Sequence, residues 1–353
     1  MPDLDKQEVL AAQQQQQAAN PSPTTPFPPI PQTSKARLEA SLHDHALDVD
    51  ALVHDPATAT EKEALKSSEK TILYLAYGSN LSSTTFRKTR GIVPISQVCV
   101  YVPDLTLTFD LPGLPYLEPC FAGTEFKNTK KSEGDDGSTT FESSDEEKDS
   151  LLKRHSDEEK ELNPLWPKPL IGVVYEVTLS DYAHIIATEG GGTSYIDVLI
   201  PCHPFPDTYD PSSPVPDTPP TPPFKAHTLL SPHSQKDPSS HTCRAHRYAR
   251  PSARYMNLLV TGAREHDLPA EYREYLNGFP PYRARTAGQK VGRFAFGLLW
   301  GPMFFLFMVL ARRLTDEKGR APWWIARAQR GLFEGVWWGY DVGFRRVFGD
   351  GER

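Results

Sequence analysis

Three groups of residues have types and spacing that could do chemistry. The first is Tyr77-Gly78-Ser79-Asn80-Leu81, placed directly after an apolar, β-prone run. A loop of small residues at a strand end leaves backbone N–H groups pointing outward, which suits a carboxylate or a developing oxyanion. The same residues also suit a tight turn, with glycine supplying backbone freedom and asparagine an Asx bond. Residue types alone favour the turn. The second is Glu189, at the end of an expected helix and followed by Gly190-Gly191-Gly192. A helix C-terminus disfavours a carboxylate's charge, so the group holds its proton more firmly and general-base work comes within reach. The glycines remove side chains that would crowd a substrate, although taken alone Glu189 reads as an exposed acid in a loop. The third is His241-Thr242-Cys243-Arg244-Ala245-His246, with donors at loose metal spacing. No second ligand pair stands at zinc-like spacing, so a solvated loop is expected there.

These residues need elements to position them. The run 71–76 is a strand feeding the glycine loop, and 98–102 and 105–109 are further β-rich runs. A segment punctuated by proline and glycine then leads to Cys120-Phe121-Ala122-Gly123. The strongest strand is expected over 170–177. Ser180 is the expected N-cap of a helix that runs through Ile185 and Ile186 to Glu189. A strand over 195–202 should find its return partner over 224–230. The stretch 252–260 leads into Gly262-Ala263, and Pro269 opens a helix ending near Leu276. Strands separated by helices and long hairpins favour an α+β or mixed barrel over a doubly wound sheet. There is no GxGxxG after a strand, no Walker A loop, no HExxH and no GxSxG, which removes the chemistries those motifs carry.

A chain of 353 residues would ordinarily suggest two domains of about 150 residues each. The composition argues for fewer. Of 34 prolines, 18 fall in 1–35 and 203–240, stretches unsuited to a core. The formal charge of −7 is uneven: 133–161 carries twelve carboxylates against four Lys and Arg, 283–353 carries thirteen Lys and Arg against six carboxylates, and 1–69 sums to −6. The remaining middle is neutral, which argues against nucleic-acid binding by the folded part. We therefore expect a mostly disordered arm over 1–69, holding a short amphipathic helix between 36 and 70. A domain over 70–282 follows, interrupted by disordered insertions at 127–163 and 203–240, and then a tail over 283–353. No apolar N-terminal h-region is present, so a reducing, cytoplasmic setting is expected. Cys99, Cys120 and Cys202 are expected to be ordinary strand or loop residues.

The tail has two readings. Residues 294–311 are uncharged, flanked by Arg293 and by Arg312-Arg313, and five of the six tryptophans lie beyond residue 299. Aromatics among arginines suit a membrane interface, with contact through 294–348. The other reading is a buried helix of the soluble domain with an amphipathic helix over 323–348 packed on it.

In order along the chain, the YGSN loop after its strand, Gly172-Val173-Val174-Tyr175, Glu189-Gly190 followed by Tyr195, a Tyr255 strand leading into Gly262-Ala263, and Leu268-Pro269-Ala270-Glu271-Tyr272 resemble the γ-glutamylcyclotransferase family. The resemblance covers most of 72–276 outside the insertions. It implies a mixed β-barrel with peripheral helices and a lyase-type conversion of an L-γ-glutamyl amino acid to 5-oxoproline and the free amino acid. No cofactor or metal is implied. It further implies Glu189 as general acid and base, backbone N–H groups of Gly78, Ser79, Asn80 and Leu81 as anion holders, and Tyr77 and Tyr255 as substrate-positioning hydroxyls. Asn80 favours the branch acting on γ-glutamyl amino acids. Two alternatives stay open: a sister cyclotransferase acting on γ-glutamylamines or glutathione, and a catalytically silent version of the fold serving as a binding or membrane module.

Overall fold

The computed structural model describes residues 27–47, 71–127, 166–188, 196–230, 249–314 and 323–353. The insertion from residue 128 to 163 lies outside them. Five strands close into a barrel: β1 (Thr71–Ala76), β2 (Ser96–Val102), β5 (Leu170–Thr178), β6 (Ile196–Pro204) and β7 (Phe224–Leu230), in the order β1-β5-β2-β6-β7. β5 lies antiparallel between β1 and β2, with Tyr74 opposite Tyr175 and Val98 opposite Val174. Closure comes where β1 meets β7 in parallel at Tyr74 and His227. A strand with a neighbour on each edge and covered faces reads as a continuous apolar run rather than an alternating one. β5 shows this: Leu170, Ile171, Val173, Val174 and Val177 are wholly buried.

Outside the barrel, β3 (Leu105–Leu114) and β4 (Glu118–Phe126) form a separate hairpin with a register shift between Thr108 and Leu111. Helix α1 (Lys35–Ala40) precedes the barrel, and α2 (Leu179–Thr188) follows β5 directly. The cap of α2 is Thr178, whose Oγ1 accepts the Asp181 N–H at 3.0 Å. Ser180, the expected cap, sits exposed inside the first turn. Helices α3 (Ala253–Glu265) and α4 (Ala270–Asn277) then cover the barrel end.

Two expectations for disorder fail within the described residues. In the N-terminal arm, 27–35 is ordered against β2, with Thr33 N–H donating to the Gln97 carbonyl at 3.0 Å and Gln97 N–H to Pro31 at 2.8 Å. Arg37 reaches the Glu176 carboxylate at 3.2 Å. In the proline-rich segment, 205–223 packs on the barrel. Phe205 lies 4.4 Å from the Tyr101 ring and 4.3 Å from Tyr209, and Val215 is buried with its N–H on Glu271 at 2.9 Å. Prolines preset the backbone and so reduce the entropy lost on ordering, which lets a few aromatic and aliphatic anchors hold the segment. Residues 231–240 lie outside the described residues.

The tail is helical: α5 (Ala287–Leu314), α6 (Trp323–Gly339), a π turn over Tyr340–Phe344 and α7 (Arg345–Phe348). It has its own apolar cluster of Phe296, Val336, Trp337 and Tyr340 around Tyr116 from the turn of the β3–β4 hairpin. Tyr116 has a left-handed backbone, φ 63°, a conformation that persists only when its surroundings hold it. Its N–H donates to Gly351 at 2.8 Å and its hydroxyl to Gly349 at 2.7 Å. α5 is the one helix among the described residues long and apolar enough to cross a bilayer. It is largely exposed, so it is not the buried helix of the second reading.

Candidate functional site

After Ala76 the chain leaves the barrel through Tyr77 and Gly78, and Ser79–Leu81 makes a single 3₁₀ turn. The Leu81 N–H donates to the Gly78 carbonyl at 3.0 Å and the Ser82 N–H to Ser79 at 3.1 Å. No acceptor among the described residues takes the N–H groups of Gly78 or Ser79. Both residues line a pocket together with Tyr74, Tyr77, Asn80, Leu111, Ala122, Thr228, Leu229 and Tyr255. The structure therefore brings together five of the six expected binding residues. Leu81 is the exception. Its side chain is wholly buried and its N–H is already engaged, so it fastens the loop rather than facing the pocket.

Much of what holds this loop comes from behind. Asn80 donates through Nδ2 to the Tyr74 hydroxyl at 2.9 Å. The Leu81 carbonyl lies 3.1 Å from His266 Nε2, which also meets the Tyr175 hydroxyl at 2.8 Å. Burial lowers the His266 pKa to about 4, with the Leu81 carbonyl opposing that shift and the Arg87 charge adding to it. The ring is therefore neutral at neutral pH. Ser83 N–H donates to Glu265 at 2.7 Å. At Gly262, a Cβ would sit 2.5 Å from the Leu81 carbonyl carbon and 2.6 Å from Ser82 N. Only glycine lets α3 approach this closely.

The facing wall is the β3–β4 hairpin, fixed by Tyr255. Its hydroxyl accepts the Ala122 N–H at 3.1 Å, and its ring meets Phe121 edge-on at 5.1 Å. A Cβ on Gly78 would lie 3.4 Å from that hydroxyl, so glycine at 78 keeps the gap between loop and tyrosine open. Tyr255 lies on a helix, where a strand was expected. Ser252 accepts the Tyr255 N–H at 3.0 Å as an N-cap, and Met256, Leu259, Val260 and Ala263 bury one face at helical spacing. That spacing was present in the sequence, but the short apolar run Leu258-Leu259-Val260 masked it.

Below the pocket lies a polar cluster that the sequence reading missed. The Tyr182 hydroxyl donates to Asp197 at 2.5 Å, His227 Nδ1 lies 2.9 Å from the same carboxylate, and Leu47 N–H donates to it at 2.7 Å. All three side chains are buried. A buried carboxylate with this many partners is satisfied, whereas removing one partner would leave it costly. His227 pairs with Tyr74 across the barrel seam and precedes the pocket residues Thr228 and Leu229. The available signal was two ionisable residues, Asp197 and His227, each inside an apolar strand.

The three described thiols are unsuited to nucleophilic work. Burial pushes Cys99 up to about 12 and raises Cys120 and Cys202 well above the ordinary thiol range, so each stays protonated. Among the described residues no group of three or more His, Cys, Asp or Glu could hold a metal ion. Glu189, Gly190 and Tyr195 lie outside the described residues, as does 241–246. What the described pocket offers is a glycine-serine backbone whose N–H groups have no acceptor among the described residues, beside Tyr74, Tyr77 and Tyr255, a setting that suits an anionic group or an oxyanion.

No protein-family model matches the chain. Gamma-glutamyl cyclotransferase aclK of Aspergillus oryzae is 30% identical over 290 residues, 80% of this chain and 91% of its own. Gamma-glutamyl cyclotransferase gliK of Aspergillus fumigatus is 28% identical over 293 residues, 82% of this chain and 93% of its own. A solved structure of a gamma-glutamyl cyclotransferase aligns with 64% of this chain and 99% of its own, at 17% identity and a TM-score of 0.36.

Proposed function

The chain belongs to the gamma-glutamyl cyclotransferase family, and from that membership we propose that it converts an L-γ-glutamyl amino acid into 5-oxoproline and the free amino acid. In this reaction the substrate's own α-amine attacks its γ-carbonyl carbon, a five-membered ring closes, and the amide C–N bond breaks. Attack within one molecule, well oriented, supplies effective molarities of about 10⁵ to 10⁸ M. The protein's tasks are to fold the substrate back on itself, move protons and stabilise the oxyanion. In our reading Glu189 takes a proton from the ammonium and gives it to the departing amine. It then takes the second proton, which the ring nitrogen sheds as the lactam forms, and passes it to the freed amine. The Gly78 and Ser79 N–H groups receive the glutamyl carboxylate or the oxyanion, and Tyr77 and Tyr255 position the substrate.

The observation that carries this reading is the pocket itself: Gly78 and Ser79, whose N–H groups meet no acceptor among the described residues, line it together with Tyr255. Raised thiols agree with a route that needs no protein nucleophile. The test is 5-oxoproline release by the purified chain from γ-glutamyl-alanine, a γ-glutamylamine and glutathione. Glu189→Gln is expected to lower turnover by about 10²-fold or more while the circular dichroism spectrum stays unchanged. Wild-type turnover in that variant would remove Glu189 as the base. Release from only the amine or glutathione would move the chain to a sister activity, and release from none would favour a silent binding module.

A further inference from the structure

We propose that the outward side of α5 docks into a lipid bilayer with anionic headgroups. The helix has 28 residues, about 42 Å at 1.5 Å per residue. Its uncharged stretch, 294–311, measures about 27 Å, close to the roughly 30 Å of a hydrocarbon core. One stripe of it is used internally. Phe296 meets Phe344 at 5.4 Å, Phe304 meets Phe333 at 5.6 Å, and Trp300 lies against Gly339 of α6. Phe294, Leu298, Phe305 and Leu306 point away from that stripe, each more than half exposed. Apolar side chains on all sides of a helix mark a buried or a membrane-embedded element, and this helix is not buried.

Charge selects the occupant. Lys290 and Arg293, on the first turns of α5, and Arg345 and Arg346, on α7, are exposed. They share one end of the helical hairpin, because α7 packs there through Phe348 against Gly292. Two acids of this end are engaged within the protein, Asp350 with the Tyr340 hydroxyl at 3.1 Å and the Glu352 N–H at 2.9 Å and Glu352 by burial. Asp341 on the π turn is half-buried, so the exposed cations outnumber the acids. A collar of cations beside an apolar helix matches anionic headgroups above hydrocarbon. A second copy of the chain packed with its α5 parallel to this one would instead bring these like charges together. α6 exposes Arg327 and Glu334, so the bilayer is met from the side of α5.

The test is flotation of the full chain with vesicles of phosphatidylcholine alone and of phosphatidylcholine mixed with phosphatidylserine. The wild type is expected to float with the mixed vesicles and much less with the neutral ones. Leu298→Glu combined with Leu306→Glu should abolish flotation. Arg345→Gln combined with Arg346→Gln should weaken it about 10- to 30-fold, from about 1 kcal/mol per cation. Thermal melting and 5-oxoproline release establish that each variant is folded, since none of these residues borders the pocket. Wild-type protein left unfloated by both vesicles overturns the proposal. In that case sedimentation identifies either a monomer or a dimer that the double-glutamate variant dissolves. Flotation that survives both variant pairs overturns it as well.

Discussion

Strand β5 and helix α5 are both rich in apolar residues, yet their surroundings are opposite. Leu170, Ile171, Val173 and Val174 have no exposed surface, whereas Leu298 and Leu306 are each 67% exposed. Ten of the twenty exposed large apolar side chains among the described residues lie on α5. The barrel is therefore self-sufficient in water: its apolar residues cover one another and leave a small pocket at the end of β1. The tail is not, because only one stripe of α5 finds protein partners. The regions nevertheless share a part, the β3–β4 hairpin. Its middle lines the pocket at Leu111 and Ala122, and its turn is gripped by the tail at Tyr116.

The comparison is sharpest in a matched pair of truncations. Leu75→Ala, in the barrel, should lower unfolding free energy by about 2–5 kcal/mol. Leu298→Ala, on α5, should change it by no more than about 0.5 kcal/mol in the absence of lipid. Urea unfolding of the two proteins measures both, and equal losses would mean that α5 is packed in solution. A smaller loss is expected from Gly262→Ala, which forces α3 away from the pocket loop. Stability should fall by about 1–3 kcal/mol, and turnover by about 100-fold if the loop moves by roughly 1 Å. Unchanged kinetics in that variant would break the link between α3 and the loop.

A further effect is conditional on pH. His266 titrates at about 4 in the folded protein because of burial, and at about 6.5 when unfolded. Between those values the unfolded chain binds the extra proton, so stability falls as pH drops from about 6.5 toward 4. Above that window the group contributes no pH dependence. His266→Gln should flatten this part of the profile when melting midpoints are compared at pH 7 and pH 4.5. A parallel profile in the variant would show that other groups carry the acid sensitivity.

Local pattern was enough for elements whose neighbours repeat it. β5 could be read because a strand paired on each edge needs apolar residues at nearly every position. The YGSN segment stood out as a glycine loop because glycine, serine and asparagine cannot continue the preceding strand. Helix α3 was harder, since its apolar spacing overlaps that of a strand until Ser252 is seen to cap it. The proline-rich segment was misjudged because composition predicts the cost of ordering but not the anchors, Phe205, Tyr209 and Val215, that offset it.

The sequence by itself determined the glycine loop, the apolar runs of the barrel, the uncharged helix of the tail and the family resemblance. Each is a matter of residue type within a short window, where backbone freedom and hydrophobic periodicity act locally. Only the tertiary structure decided what those pieces meet. Tyr255 fixes Ala122 across 133 residues, His227 finds Asp197 across 30, and His266 supports Leu81 across 185. No window pattern carries such pairings, because they depend on which strands close the barrel and on how near a helix can come at Gly262. The exposure of α5 is settled the same way, by the one stripe that α6 and the π turn cover and by the sides that nothing in the described protein reaches.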